Sequence, residues 1–172
     1  MTVLVTSASK HGATAEIAEA IAGTLREEGL ETEVLPVDEV ETLGDYEAFV
    51  VGSAVYMGHW LEPARTFVET HAHRLRARPT WLFSSGPIGD PPRPRTEDAV
   101  DVSRELESSG AEEHRLLGGK IDKSQLGFAE RAVLRAVGAA EGDYRDWDEV
   151  EAWARRIAKA LLRSAATVPT SR

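Results

Sequence analysis

Short apolar runs alternate along the chain with stretches in which apolar residues recur at helical spacing. The runs are rich in β-branched and aromatic residues, which is typical of strands buried in a sheet. They predict five strands, at Val3–Val5, Glu33–Val37, Ala48–Gly52, Thr80–Phe83 and Glu113–Leu117. The second run is the most polar of the five, and we expect it at a more exposed position.

The stretches of helical spacing fall between the strands. The first has one apolar face and ends at Gly29. That face comprises Ile17, Ala18, Ile21, Ala22 and Leu25. Further helices are predicted at Glu62–Leu75, Thr96–Ser108, Gly127–Val137 and Trp147–Leu162. Because strands alternate with helices, we expect an α/β fold with a parallel, doubly wound sheet and helices on both faces.

The pattern indicates one domain, over residues 1–164, followed by a tail at 165–172 that we expect to be disordered. The chain has 172 residues, which is an ordinary size for a single domain. We find no internal repeat and no interdomain linker. The stretch Pro87–Pro94 is dense in proline and predicts a loop.

Composition and charge narrow the classes of function. The formal net charge of −9 argues against binding of nucleic acid or of anionic lipid, although a local basic patch leaves a peripheral membrane contact open. The chain has no cysteine, which excludes disulfides, thiolate catalysis and cysteine-ligated clusters. No signal peptide and no transmembrane run of about 18 apolar residues is recognisable, so we expect a cytoplasmic protein. The sequence leaves the oligomeric state open.

The loop Thr6–Thr14, between the first strand and the first helix, is the strongest candidate for ligand binding. Free N–H groups and the positive dipole end of a helix N-terminus favour phosphate, and Gly12 permits close approach of the backbone. Hydroxyl groups of Ser7, Ser9 and Thr14 would add donors. The loop has neither the Walker A nor the dinucleotide pattern. It predicts a phosphate site of another kind, and the alternative is a plain strand–helix turn.

Two further loops follow strands of the predicted sheet, at Ser53–Trp60 and Ser84–Asp90. In a doubly wound sheet, ligands bind at the carboxyl ends of the strands, where all three loops meet. Other functions of such a sheet lack their residues here. Gly52 and Ser53 stand where a response regulator carries its phosphorylated Asp, and neither Ser53 nor Ser85 has the Gly-x-Ser-x-Gly frame of a hydrolase.

The segment Ser9–Thr14 resembles the FMN-phosphate loop of flavodoxins, and the two later loops resemble the flavin loops of that family in the same order. The resemblance implies a flavodoxin-like fold with a five-stranded parallel sheet of order 2-1-3-4-5, an extra helical segment before the last helix, and FMN as the cofactor. The flavin then carries the redox chemistry, with no catalytic side chain. The cofactor-binding residues implied are Ser7, Ser9, Lys10, His11, Gly12, Ala13, Thr14, Ser53, Ala54, Val55, Tyr56, Met57, Gly58, Ser85, Gly86, Pro87, Ile88 and Gly89.

Within this family the chain is similar to the menaquinone-dependent protoporphyrinogen oxidase branch. The similarity lies at Gly58–Trp60, Gly118–Gly119, Phe128–Arg131 and Gly142–Trp147. It implies an FMN-dependent oxidoreductase that acts on a quinone or a protoporphyrinogen-like substrate. The alternative is an electron carrier that acts through a redox partner protein. The inserted segment Gly119–Asp146 favours the enzyme, whereas the acidic net charge favours the carrier.

The sequence leaves two interpretations open for several side chains of these loops. Lys10 and His11 either contact the phosphate or are solvated loop residues. Tyr56 either stacks on the flavin or packs under its loop, and Trp60 either stacks or anchors the following helix. The acidic residues that precede the last helix are expected to cap it and to compensate its dipole rather than to bind a metal. They are Asp143, Asp146 and Asp148.

Overall fold

The computed structural model describes residues 1–86, 100–136 and 141–167. Its strands are β1 (Thr2–Ala8), β2 (Glu31–Pro36), β3 (Ala48–Tyr56), β4 (His59–Trp60), β5 (Thr80–Gly86), β6 (Glu113–Gly118), β7 (Lys120–Ile121) and β8 (Gly142–Asp143). The main sheet has the parallel order β2-β1-β3-β5-β6, and β4 adds an antiparallel pair to β3. Apart from the short β4, this confirms the expected order 2-1-3-4-5.

Six helices accompany the strands in the described part of the chain. They are α1 (Ala13–Glu27), α2 (Glu62–Thr70), α3 (Ala72–Arg76), α4 (Ser103–Ser109), α5 (Phe128–Ala136) and α6 (Trp147–Thr167). Helices α1 and α6 pack on one face of the sheet, in a core that contains Trp81 and Trp153. Helices α2, α3 and α4 contribute to the core on the other face. The predicted doubly wound α/β fold is therefore confirmed.

Helix α1 shows how the local sequence specifies an element. Its five predicted apolar residues are all fully buried against the sheet. The helix ends in a Schellman motif, in which the N–H of Leu30 donates to Leu25 and that of Gly29 to Arg26. Gly29 has φ +91°, a conformation that glycine adopts without steric cost.

The central strands continue beyond the apolar runs toward their carboxyl ends. Strand β1 continues to Ala8, β3 to Tyr56 and β5 to Gly86. Ladder hydrogen bonds do not require apolar side chains, and the additional residues are mostly small serines, threonines and glycines. At the sheet edge, β2 covers Glu31–Pro36 rather than Glu33–Val37, because Pro36 has no N–H with which to continue the ladder.

Two helix predictions need correction. The helix expected at Glu62–Leu75 is interrupted at His71, which separates α2 from α3. This break directs Leu75 into the core, while the Arg74 side chain donates to the carbonyls of the loop at Leu43, Gly44 and Tyr46. For the helix expected at Thr96–Ser108, the described residues 100–102 are not helical, and α4 starts at Ser103.

Residues 100–102, before α4, are not helical, and buried side chains and hydrogen bonds hold them in place. Val100 and Val102 are buried, and the Asp101 side chain accepts a hydrogen bond from the Ser103 N–H. The N–H of Asp101 donates to Gly58, which ties this segment to the end of β3. Residues 96–99 and the predicted loop Pro87–Pro94 lie outside the described residues.

The insertion between β6 and α6 contains more structure than the sequence indicated. Strands β7 and β8 pair at its base, so residues 142–143, between the two predicted helices, form a strand. Helix α5 starts at Phe128, one residue after the predicted start. Helix α6 includes residues 165–167 of the expected tail, and residues 168–172 lie outside the described part. Across the described residues, no helix has the length and apolar character needed to span a bilayer.

Candidate functional site

The three predicted ligand loops meet at one edge of the sheet, where β1, β3 and β5 end. Register places Ala8 beside Ser53 and Ala54 beside Ser85. Gly86 in turn lies beside Gly118 at the end of β6. The sheet therefore aligns the first loop, the end of β3 and the end of β5, although Ser53–Tyr56 and Ser84–Gly86 are strand residues rather than loop residues.

The first loop forms a compact turn that leads directly into α1. The Gly12 N–H donates to Ser9 Oγ at 3.0 Å, and the Gly12 carbonyl accepts from the Glu16 N–H at 3.0 Å. Gly12 has φ +86° and ψ −16°, which places it in the left-handed region. Ser7 and Thr14 are buried, whereas Lys10 and His11 are exposed.

This turn, at Ser9–Thr14, has a geometry that fits a phosphate group, and we call it the phosphate loop. In the part of the chain that the structure describes, no side chain caps the start of α1. The N–H groups of Ala13, Thr14 and Ala15 therefore lack intrahelical acceptors and point out of the helix N-terminus. Such groups and the helix dipole bind anions. The Ser9 hydroxyl accepts one hydrogen bond within the loop and keeps its own proton for donation.

Lys10 and His11 both contact a carboxylate, which neither of their two predicted roles included. The carboxylate of Glu130, on α5, forms an ion pair with Lys10 and lies 3.3 Å from His11 Nε2. The Lys10 ammonium also lies 5.8 Å from the centroid of the Tyr56 ring. The insertion thus lies against the phosphate loop. No local pattern revealed this contact, because its residues are about 120 positions apart.

The second loop is a tight hairpin between β3 and β4. Met57 and Gly58 both have positive φ, of 54° and 79°, as a two-residue type I′ turn requires. The turn leaves the side chains of Tyr56 and Met57 exposed, at 45% and 67%. The sequence left Tyr56 and Trp60 as alternative stacking residues, and Tyr56 is the one that is accessible at the surface.

Trp60 is buried and fixes the hairpin to the sheet. It is 2% exposed, and its indole N–H donates to Ser84 Oγ at 2.7 Å. Ser84 Oγ lies 2.7 Å from His114 Nε2 on β6. This Ser–His contact resembles part of a hydrolase triad, but Ser84 is fully buried and has no access to a substrate. Trp60 is therefore a structural anchor, which was one of its two predicted roles, but its contact with Ser84 and His114 was not predicted from the sequence.

Ser53 also has an internal role. Its hydroxyl donates to the Ala54 carbonyl at 2.8 Å and accepts from the Leu61 N–H at 3.0 Å. Ser53 is fully buried, so its side chain links β3 to the start of α2. Because a hydroxyl has one proton, this side chain has none left to donate to a ligand.

The third loop is described only as far as Gly86, and the predicted site residues Pro87, Ile88 and Gly89 lie outside the described residues. Close backbone packing surrounds its start. A Cβ added at Gly119 would lie 2.8 Å from the Gly86 carbonyl oxygen. A Cβ added at Gly118 would overlap the carbonyl oxygen of Tyr144. The N–H of Tyr144 donates a hydrogen bond to the Gly119 carbonyl at 2.9 Å. The paired glycines therefore let the two ends of the insertion meet beside β5.

Arg145 holds the far end of the insertion against α1. Its side chain is 5% exposed, pairs with Asp143 and Glu16, and stacks on Trp147 at 4.6 Å. The hydrogen bonds and charge of Arg145 lower the pKa of Asp143. Asp146 caps α6 through the Glu149 N–H, as expected. Asp143, in contrast, forms an ion pair with Arg145 and does not cap α6.

A cavity of about 650 Å³ opens beside the phosphate loop, over the ends of β1 and β2. Its volume is typical of a site for a small organic ligand. The phosphate loop and the apolar start of α2 both contribute to its walls. The lining includes Ser7, Ser9, Gly12, Val34, Val37 and Leu61.

Comparison with known proteins agrees with this geometry. Residues 4–148 match the family model for the flavodoxin domain. The chain is 26% identical to protoporphyrinogen IX dehydrogenase (quinone) of Escherichia coli K12, over 92% of this chain and 95% of that protein.

Solved structures show the same fold at low sequence identity. A flavodoxin from the domain Archaea superimposes with a TM-score of 0.61 at 17% identity, over 93% of this chain and 98% of that one. A Pseudomonas aeruginosa flavodoxin gives 0.62 at 20%, over 94% and 99%. Rubredoxin oxygen:oxidoreductase from Desulfovibrio gigas gives 0.65 at 15%, over 96% of this chain but 37% of that chain. Because the family model spans most of the chain, the chain belongs to the flavodoxin-domain family, whose cofactor is FMN.

Proposed function

We propose that the protein uses FMN to exchange electrons with a hydrophobic molecule of the quinone or porphyrinogen class. The observation that carries this proposal is the insertion, whose two ends meet at Gly118, Gly119 and Tyr144 beside the end of β5. Phe128, at the start of α5 within this insertion, is 92% exposed. An exposed aromatic side chain beside a cofactor site supplies an apolar surface for a ring-containing ligand.

In this proposal the protein binds and orients the cofactor. Backbone N–H groups from Ser9 to Thr14 hold the phosphate, and backbone groups from Ala54 to Gly58 and from Ser85 to Gly89 frame the ring. Tyr56 supplies the aromatic surface for stacking. When bound, FMN supplies transfer of one or two electrons. Electron transfer itself needs no side chain as acid or base.

The substrate class follows from the relative as well as from the insertion. The Escherichia coli relative is a protoporphyrinogen IX dehydrogenase that uses a quinone, and it aligns over nearly the whole chain. Reduction of a quinone to a quinol consumes two electrons and two protons, which a porphyrinogen-like donor releases when it is oxidised. Both molecules have apolar rings that would pack against an exposed aromatic side chain such as Phe128.

An electron carrier that acts through protein partners is the second candidate. The observation that favours it is the net charge of −9, because acidic proteins associate readily with basic partners. A carrier of this kind reduces a protein such as cytochrome c and needs no binding surface for a small molecule. The two candidates therefore differ in what the insertion does.

Deletion of Lys123–Ala140, with a short Gly-Ser linker between the ends, separates the two candidates. The deletion lies between β7 and β8 and leaves all three ligand loops unchanged. We expect FMN to remain bound and quinone reduction by the reduced protein to fall about a hundredfold, the order expected when a substrate loses its positioning contacts. Cytochrome c reduction should persist.

The control for the deletion replaces the same 18 residues with a Gly-Ser segment of equal length. It keeps the length of the insertion but removes Phe128 and the rest of α5. We expect it to lose quinone reduction as the deletion does. Unchanged quinone kinetics in either folded variant would reject the substrate role and favour the carrier.

The phosphate loop is tested separately by Thr14→Ala. Thr14 lies in the first turn of α1 and is 2% exposed. A hydrogen bond to a charged group contributes about 1.5–3 kcal/mol, so the loss of its hydroxyl should weaken FMN binding by roughly one to two orders of magnitude. Flavin fluorescence quenching measures the dissociation constant. Thr24→Ala, at a buried threonine of the same helix, is the control and should change FMN affinity little.

A further inference from the structure

Glu130 is an unusually well-partnered carboxylate at the start of the insertion helix. Its side chain is 12% exposed. One oxygen pairs with Lys10, and the other lies 3.3 Å from His11 Nε2 and accepts from the Gly127 N–H at 3.1 Å. The last bond is half of a capping box, in which a Glu in the first turn satisfies the N-cap N–H. Glu130 thus both starts α5 and contacts the side chains of Lys10 and His11 in the phosphate loop.

Little else on α5 faces the domain. Only Glu130 and Leu134 are half-buried among the α5 side chains that the structure describes. The exposed ones are Phe128, Ala129, Arg131, Ala132, Arg135 and Ala136. Arg131 donates to the Lys123 carbonyl, so this contact stays within the insertion. The ion pair of Glu130 is therefore the main polar contact between α5 and the phosphate loop.

A phosphate bound at the α1 N-terminus places a second anion beside the same two side chains. Two anions that share one lysine repel each other, and each forms a stronger charge-assisted bond when it has the lysine alone. We propose that the Glu130 carboxylate and the FMN phosphate compete for Lys10 and His11, so that binding of FMN releases α5 from the phosphate loop. This inference rests on the proposed phosphate site, but not on the proposed substrate.

The competition has a quantitative consequence for cofactor affinity. When Glu130 holds the loop in most molecules, the apparent dissociation constant of FMN rises by the inverse of the free fraction. Glu130→Gln removes the competing charge and nearly preserves the shape of the side chain. We expect it to bind FMN about tenfold more tightly than the wild type does, which corresponds to a free fraction of roughly one in ten.

Riboflavin and a second carboxylate provide the controls. Riboflavin has no phosphate, so its affinity should be the same in the wild type and in Glu130→Gln. Glu141→Gln removes an exposed carboxylate from the same insertion and should leave FMN affinity unchanged. In a Lys10→Met background, Glu130→Gln should tighten FMN binding by clearly less than tenfold, because the shared cation is gone.

Release of α5 can be observed directly, because the chain has no cysteine. Ala129→Cys provides one labelling position on the exposed side of α5, and a nitroxide there reports local mobility. Saturating FMN should make the label more mobile, whereas saturating riboflavin should not. The label is read in the otherwise unchanged protein, so this result does not depend on whether Glu130→Gln folds.

Both results are required. The proposal is overturned if Glu130→Gln binds FMN no more tightly than the wild type, or if FMN saturates the labelled protein without a change in label mobility. Neither measurement uses a quinone, so a negative result leaves the test of the substrate proposal intact. Absence of any FMN binding by the wild type would instead overturn the proposed function itself.

Discussion

Gly52→Ala should lower the melting temperature by roughly 10 °C. Gly52 lies directly beside Phe83 across the β3–β5 ladder, and a Cβ at this position would come within 2.5 Å of three atoms of the Phe83 ring. The ring has no room to retreat, because Phe83 is fully buried and packs edge-on against Trp153 with ring centroids 6.2 Å apart. Overpacking of this kind costs about 3 kcal/mol, and each kcal/mol lowers the melting temperature of such a domain by about 2–4 °C.

The matched control for this prediction is Gly23→Ala. Gly23 lies within α1, and a Cβ there would have no atom within 4 Å. Alanine in a helix interior is more favourable than glycine by about 1 kcal/mol, so this variant should melt slightly above the wild type. Thermal unfolding followed by circular dichroism compares the two variants. A melting temperature for Gly52→Ala close to that of the wild type would show that the core has space at Phe83.

Gly12→Val should weaken FMN binding by about two orders of magnitude or more. Gly12 has φ +86°, and a β-branched residue is a genuine outlier in that region. Valine would force the turn out of its conformation, with loss of the Gly12 N–H bond to Ser9 and displacement of the N–H groups that face the phosphate. Strain of this type costs about 1–3 kcal/mol, to which the lost phosphate contacts add.

Gly12→Asn distinguishes a requirement for the left-handed backbone conformation from a requirement for the absence of a side chain. Asparagine tolerates the left-handed region but still adds a side chain to the loop. If Asn restores most of the FMN affinity, the backbone conformation is what matters. If Asn is as damaging as Val, the loop needs the close approach that only glycine permits. Wild-type FMN affinity in Gly12→Val would mean that the phosphate binds elsewhere.

The five strands of the parallel sheet and most of the helices could be predicted because each has a local signature, and the resemblance to flavodoxins supplied the strand order. The apolar face of α1 and the stop at Gly29 are visible in consecutive residues, and the order of strands and helices leaves few topologies. The strand ends were harder to predict. Ser53 and Ser84 look like loop residues, yet they lie within β3 and β5, where the Ser53 hydroxyl accepts from the Leu61 N–H and the Ser84 hydroxyl accepts from the Trp60 indole N–H.

Contacts that join distant parts of the chain had no local signal. The break at His71 follows from bonds between Arg74 and a loop about 30 residues earlier. The position of Glu130 depends on Lys10 and His11, at the opposite end of the chain. Sequence patterns placed Lys10 in the loop between β1 and α1 but could not reveal its partner, because ion pairs between distant residues leave no periodicity.

Strands β7 and β8 hold the two ends of the insertion together, and this affects how the segment between them can be replaced. Strands β7 and β8 pair Lys120 with Asp143 and Ile121 with Gly142, and the backbone of Tyr144 packs on Gly118 directly beneath them. The 20 residues from 122 to 141 therefore begin and end at one point, and doubling such a loop costs only about 0.6 kcal/mol in closure entropy. Because its two ends meet at one point, this segment can be replaced by one of another sequence or length without disturbing the strands of the main sheet.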